Sequence, residues 1–259
     1  MDLGIAGRKA IVCASSKGLG RGCAEALAQA GCEVVINGRD AARLEPVAAE
    51  IRARTGAKVT AVVADVATPE GQAALFAACP EPDILVNNNA GPPFRDFREL
   101  SRQDMIDGVI ANMITAIELI QKVIDPMAAR RFGRIVNITS GSVKLPLVGL
   151  DLSSGARAGL TAFLAGVARS VAGSNVTINN LLPGIFETDR WRSGIARTAK
   201  NKNIAIEQAR AEAIGLVPAK RVGTAEEFGN ACAFLCSAHA GYIVGQNLLI
   251  DGGRFPGTM

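Results

Sequence analysis

Short runs of aliphatic and β-branched residues alternate with stretches of helical spacing along the whole chain, and no other feature restricts the possible folds as tightly. The runs fall at 9–14, 33–37, 58–63, 84–88, 134–139, 176–182 and 247–250. Between them apolar residues return every three or four positions, clearest in Ile106, Val109, Ile110, Met113, Ile117, Ile120 and Ile124, and again in Leu160, Leu164, Val167 and Val171. Strands that are apolar throughout are covered on both faces, and strands separated by helices pair in parallel with right-handed crossovers. The expected fold is an α/β domain, a doubly wound seven-stranded parallel sheet with helices on both faces, taking in 1–259 as one unit. Ligands of such sheets sit beyond the carboxyl ends of the strands. Only 184–203 lacks both periodicities. A loop that long in a compact domain is usually functional, and a lid is expected over about 184–215.

Composition removes several classes of function. Apolar residues make up 49% and charged residues 20%, and no uncharged apolar run reaches the roughly 18 residues of a membrane span. The first residues, MDLGIAGRKAIVCAS, lack a basic start, an apolar stretch and a small-residue cleavage site, so the cytoplasm is the expected compartment. Cysteines 13, 23, 32, 79, 232 and 236 show no zinc or redox spacing and read as small core residues. His239 is the only histidine, which excludes a histidine-based metal site or catalytic triad; it reads as a helix-end residue, and no metal is expected. The net charge of +4 is dispersed, so nucleic acid is not indicated. Arg130-Arg131 is the one basic pair that an acidic carrier partner would seek.

The first run leads into Cys13-Ala14-Ser15-Ser16-Lys17-Gly18-Leu19-Gly20 and then into an apolar helix ending near Gly31. Strand, tight turn and helix in that order suit a dinucleotide. Gly18 and Gly20 let backbone approach the pyrophosphate, and the first helical amides face its charge, with Ser15, Ser16, Lys17 and Leu19 around them. The domain is therefore expected to be of Rossmann type. The second strand ends in Asn37-Gly38-Arg39, where an NAD-selective site usually places a carboxylate for the ribose hydroxyls. Arg39, helped by Lys17, would instead pair with a 2′-phosphate, so NADP is expected in preference to NAD. Asp65, at the end of the third strand, would accept from the adenine amino group.

These residues resemble the short-chain dehydrogenase/reductase family over nearly the whole chain. Residues 13–20 resemble its T-G-x-x-x-G-x-G loop, with Cys13 and Ala14 in place of the opening Thr and Gly. Asp65-Val66 resembles its adenine contact. The segment from Asp83 to Asn88 resembles its fourth strand, closing here as Asn87-Asn88-Asn89-Ala90-Gly91 instead of N-N-A-G. Pro183-Gly184, followed by Thr188, resembles the nicotinamide-side loop, and 247–253 resembles the last strand and tail. The resemblance implies hydride transfer at a carbonyl or alcohol, with a tyrosine moving the proton, a lysine four residues later, a substrate-orienting serine and a water-anchoring asparagine. Asn112 and Ser140 fill the last two roles.

The tyrosine and lysine are missing. Aligning Ala158-Gly159-Leu160 with the A-G-L that follows the family's lysine puts Arg157 at the lysine and Ser153 at the tyrosine. No other register restores the pair, because Tyr242 is the only tyrosine and no lysine lies between Lys144 and Lys200. The pattern is similar to a divergent branch, resembling 3-oxoacyl-acyl-carrier-protein reductases, in which a serine-containing replacement ends in arginine. A serine hydroxyl is a far weaker acid than a phenol, whose pKa is about 10. Arg157 keeps the positive charge and could grip the nicotinamide ribose, but a guanidinium is no proton relay. Arg157, Ser140 and Ser153 would stabilise a developing alkoxide, with the proton coming from water, from the substrate or from Lys144. That lysine lies in a loop expected to border the pocket, where desolvation beside Arg157 would lower its pKa.

Ile185, Phe186, Trp191 and Ile195 in the lid, with Pro92-Pro93-Phe94, point to a pocket that is apolar with few polar groups. The expected function is an NADP-dependent oxidoreductase acting on a small or medium apolar carbonyl or alcohol. The alternatives are an NADP-binding sensor or scaffold without hydride transfer, and a non-redox dehydratase or isomerase using the same pocket. The resemblance also implies a homo-oligomer, a tetramer built through the fourth and fifth helices and the last strand.

Overall fold

The structure, a computed structural model, describes residues 2–258. All seven expected strands form: β1 (Lys9–Val12), β2 (Glu33–Gly38), β3 (Val59–Val63), β4 (Ile84–Asn87), β5 (Gly133–Ile138), β6 (Val176–Pro183) and β7 (Asn247–Ile250). They make one sheet of order β3-β2-β1-β4-β5-β6-β7, every pair parallel. The chain leaves β1 for one half and returns through β4 to the other. A crevice therefore opens at the carboxyl ends of β1 and β4, where the winding reverses.

Alternation along β1 sorts the core onto two faces. Ala10 and Val12 pack with Val34, Ile36, Leu27 and Phe228 on one side. Ile11 packs with Val35, Leu85, Leu119 and Leu160 on the other. The first face is covered by α1 (Gly18–Gln29), α2 (Ala41–Thr55) and α9 (Ala225–Cys236); the second carries α3 (Pro69–Ala78), α5 (Thr115–Ala129) and α6 (Asp151–Val171). Helices α1 and α9 touch backbone to backbone. A Cβ on Gly22 would overlap the Ala225 carbonyl, and one on Gly229 would overlap the Gly22 carbonyl. The helix that starts at the glycine loop is thereby locked to its neighbour.

Two elements depart from expectation. The stretch read as irregular is helical: α7 (Asp189–Lys202) and α8 (Ile206–Gly215), joined through Asn203 in the left-handed region at φ 52°. Its apolar stripe is narrow, with only Ile195, Ala199 and Ala209 buried, which is why periodicity did not reveal it. The expected fourth helix is not one regular helix. Between α4 (Arg102–Val109) and α5 the chain forms one π-turn, Ile110–Ile114, in which the Thr115 hydroxyl donates to the Ile110 carbonyl at 2.9 Å. Such turns aim a side chain that a regular helix would point elsewhere. The cysteines are all buried and free. His239 meets the Asp2 carbonyl at 2.8 Å in a short turn, as befits a structural residue. No described helix is long and apolar enough to cross a membrane.

Candidate active site

A cleft of about 890 Å³ follows the carboxyl edge of the sheet and is roofed by α7. Of the residues singled out from sequence, Ser16, Lys17, Gly18, Leu19, Arg39, Asp65, Val66, Asn88, Ser140, Ser153, Arg157, Pro183, Gly184 and Thr188 line it. Ser15, Gly20, Asn112 and Lys144 do not.

The glycine loop is shaped by its neighbours. Gly18 has φ 58°, and Ala14, at the position of a family glycine, is held in the same left-handed region at φ 45°. The Asn88 side chain donates to the Ala14 carbonyl at 3.1 Å. A Cβ on Gly20 would lie 2.5 Å from that carbonyl oxygen and 2.8 Å from Asn88 Nδ2, so Gly20 lets α1 close on the loop without itself facing the cleft. Ser15 is fully buried; its hydroxyl donates to the Val12 carbonyl at 2.7 Å and accepts the Asn37 amide at 2.9 Å. It is a splint between strand ends, not a cleft residue. Helices α2, α3, α7 and α9 and the start of α4 are capped by Asp40, Thr68, Thr188, Thr224 and Ser101. Helix α1 has no side-chain cap and no acidic residue in its first turn. Its leading amides face the cleft unclaimed by side chains, a fit for a pyrophosphate.

At the far end of β2, the Asn37 side chain turns inward, accepting from the Ala14 amide at 3.2 Å and donating to the Val62 and Ala64 carbonyls at 3.1 and 3.0 Å. No carboxylate replaces it at the cleft wall on that strand. Arg39 projects from the next position, largely exposed and 3.6 Å from Asp65. Lys17 does not join it, contrary to the expectation from sequence. It reaches across the cleft to Asp189 at 2.9 Å, which also takes Arg192, and hydrogen bonds from both cations pull the Asp189 carboxyl down to about 2. The loop is thus clasped to the start of α7.

The chemistry-bearing groups gather where β5 ends. The Ser140 hydroxyl oxygen accepts from the Ser142 amide at 3.1 Å and from the Ser142 hydroxyl at 2.8 Å, leaving its own proton free to be donated. One turn into α6, Ser153 accepts from Arg157 Nε at 3.3 Å, which likewise leaves its proton free. Arg157 Nη1 donates to the Ile138 carbonyl at 2.6 Å. The guanidinium is buried, and the one charge influencing it is another cation, Arg190. Burial, then that repulsion, pushes Arg157 down to about 10, still far enough above neutrality to stay charged. On its other side Arg157 borders a separate cavity of about 20 Å³, shared with Asn87, Asn89, Asn112 and Asn137. The π-turn places Asn112 there, its Nδ2 donating to the Gly108 carbonyl at 3.1 Å and its buried Oδ1 without a protein partner. A polar space of that size fits one water.

Lys144 does not itself line the cleft; its ammonium lies 5.9 Å from the ring of Phe255, a residue of the cleft wall, and Arg190, not Lys144, is the charge that acts on Arg157, so the expected pairing does not form. Tyr242 is fully exposed in the turn before β7, leaving the cleft without a phenol. Arg130 and Arg131 lie at the opposite, amino edge of the sheet, bonded to the Pro82 and Gly173 carbonyls at 2.8 and 3.4 Å. They do not flank the cleft mouth. Among the cleft residues that escaped the sequence reading are three arginines, Arg190, Arg197 and Arg254. The first two ride on α7, whose start was signalled by Thr188-Asp189 and whose end by Lys200 and Lys202.

Comparison with known proteins agrees with this geometry. The family model described as Enoyl-(Acyl carrier protein) reductase matches residues 13–254. The NADPH-dependent reductase BacG of Bacillus subtilis is 31% identical over 251 residues, 95% of this chain and 97% of that protein. The 3-oxoacyl-[acyl-carrier-protein] reductase FabG of Aquifex aeolicus is 32% identical over 259 residues, 98% of this chain and all of its own length (100%). The crystal structure of L-sorbose reductase from Gluconobacter frateurii, complexed with NADPH and L-sorbose, superposes with a TM-score of 0.93 at 29% identity, covering 99% of this chain and 100% of that one. The match runs through both halves of the sheet, and the chain belongs to the short-chain dehydrogenase/reductase family.

Proposed function

We propose that this protein is an NADP(H)-dependent oxidoreductase that interconverts a carbonyl and an alcohol, using two serine hydroxyls backed by a buried guanidinium in place of the phenol and ammonium. The observation that carries the reading is Arg157, a buried cation with no carboxylate beside it, set behind Ser153 on a cleft that begins at the uncapped amides of α1. When bound, the dinucleotide would supply or accept the hydride. Ser16, Gly18 and Leu19 would hold its pyrophosphate and Arg39 its extra phosphate, while Asp65 and Val66 face the adenine and Pro183, Gly184 and Thr188 the nicotinamide.

Ser140 and Ser153 each have a hydroxyl proton to direct at the substrate oxygen, and Arg157 polarises Ser153 through its Nε bond. As negative charge builds on that oxygen, the two hydroxyls stabilise it, and a product alcohol is matched to serine in acidity. The net proton comes from water that enters the cleft or from the substrate, because the guanidinium of Arg157 is no proton relay. Helices α7 and α8 serve as the lid, held shut by Lys17–Asp189. Exposed Met105, Ile106, Ile114 and Phe163 on the α4–α6 face, and Leu248 on β7, support assembly into a homotetramer.

Titration of NADPH by its fluorescence, followed by absorbance assays with aldehydes, ketones and 3-oxoacyl thioesters, tests the reading. Turnover that Ser140→Ala and Arg157→Met both reduce supports it. Tight binding without turnover across the panel favours the competing reading, a dinucleotide-binding sensor, to which the absence of a phenol in the cleft lends weight. Arg39→Asp is expected to move preference from NADP toward NAD, and indifference to that change would show the ribose end to be misassigned.

A further inference from the structure

The cations and carboxylates of the cleft do not balance, and the imbalance is local. Each carboxylate on its wall is already engaged. Asp65 faces Arg39 at 3.6 Å, Glu187 takes Arg192 and Arg210 at 3.0 and 2.7 Å, and Asp189 takes Lys17 at 2.9 Å. Asp251 accepts the Gly253 and Phe255 amides at 2.9 and 2.7 Å. Four arginines of the cleft are left without a carboxylate partner among the described residues: Arg157, Arg190, Arg197 and Arg254.

All four line the cleft; Arg190 follows Asp189, which takes Lys17 of the glycine loop, and faces the loop after β4. Arg190 spans from α7 to the loop after β4, donating to the Gly91 and Pro92 carbonyls at 3.1 and 3.0 Å, and a Cβ on Gly91 would collide with it. Arg197 lies 4.2 Å above the Phe94 ring. Arg254, half buried, enters from the tail after β7. Arg190 is near enough to Arg157 to repel it, and Arg197 near enough to Arg190. Like charges held together without a counterion cost stability unless a ligand neutralises them. A guanidinium with donors to spare presents them in a fork that matches a carboxylate. Phe94, Phe186, Trp191 and Leu147 close the rest of the wall, which suits a singly charged head on an apolar body.

We infer that the carbonyl or alcohol handled by this cleft is an oxo or hydroxy acid, its carboxylate bound by Arg190 and Arg254. This rests on the oxidoreductase reading and narrows its substrate from the apolar compound expected from sequence to a carboxylic acid.

The test uses the full chain with NADPH and two matched series, 2-oxo and 3-oxo acids of four to eight carbons and their methyl esters. At least one acid is expected to exceed its ester in kcat/KM by about tenfold to a hundredfold, the worth of charge-assisted hydrogen bonds. Arg190→Met and, independently, Arg254→Met are expected to erase most of that ratio while the NADPH dissociation constant holds. Esters that match or outperform their acids would overturn the inference. So would a loss of NADPH affinity as large as the loss in ratio, which would place these guanidiniums on the cofactor's phosphates. Should nothing turn over, the oxidoreductase reading fails separately, and thermal unfolding of the NADPH complex decides the inference. A rise in Tm with the acids and not the esters upholds it, and equal shifts or none overturn it.

Discussion

Exchanging Arg157 for methionine removes a buried cation and keeps most of its length, and the outcome for stability follows from the partners on the page. Burying a guanidinium costs several kcal/mol even after the surroundings relax. Its bonds to the Ile138 carbonyl at 2.6 Å and to Ser153 at 3.3 Å each return about 1.5–3 kcal/mol, as bonds to a charged group do, the longer one at the low end. With no carboxylate beside it and Arg190 adding repulsion, the two sides nearly cancel. Arg157→Met is therefore expected to change the unfolding free energy by no more than about 1 kcal/mol, against about 3–5 kcal/mol when a partnered buried charge is broken. Activity should respond differently. Losing a donor behind a developing alkoxide costs about 10²–10³ in kcat. Urea unfolding followed by far-UV circular dichroism reads the first quantity and NADPH-dependent turnover the second. A stability loss beyond about 3 kcal/mol would mean that Arg157 is a structural prop. Turnover within about threefold of the parent would remove it from the chemistry.

Other expectations follow from particular contacts. Gly22→Ala would force α1 off the Ala225 carbonyl, and urea unfolding should register a loss of about 1–3 kcal/mol, with weaker NADPH binding because α1 carries the loop amides; unchanged stability would show that the two helices separate freely. Ala14→Gly relieves a left-handed backbone at φ 45° and is expected to raise stability by about 1 kcal/mol, which the same unfolding curve checks. Glu227 closes the capping box of α9 and pairs with Arg221, which holds its carboxyl at about 2 against an ordinary 4.5. That contribution is present above pH 4.5 and is lost as pH falls through about 2, so Glu227→Gln should flatten the acid side of the stability profile; parallel profiles would refute the assignment.

Much of the architecture was legible because it is written in local pattern. Buried parallel strands need unbroken apolar runs, and all seven runs became strands within two residues of their expected ends. The loop from Ser16 to Leu19 was readable for a similar reason, since a turn followed by a helix depends on glycines at fixed offsets. Helix α7 was not legible, because a roof over a polar cleft buries only a narrow stripe and periodicity fades. Its cap signals were present at Thr188 and Lys200. Lys17 does not meet Arg39 and Lys144 does not meet Arg157 for one cause: a flexible cation pairs with whatever the fold brings near, and sequence does not say what that is.

The residues alone determined the class of fold, the order of the strands in the chain, the glycine loop that opens α1 and the loss of the phenol and ammonium, all of which are matters of composition and spacing. Tertiary structure decided which charges meet. Lys17 and Asp189 stand 172 positions apart and Arg190 and Gly91 stand 99 apart, yet each pair is in contact. Whether a cleft holds a surplus of cations depends on which partners are within about 4 Å, because an ion pair weakens with distance and solvent. Only the folded chain sets those distances.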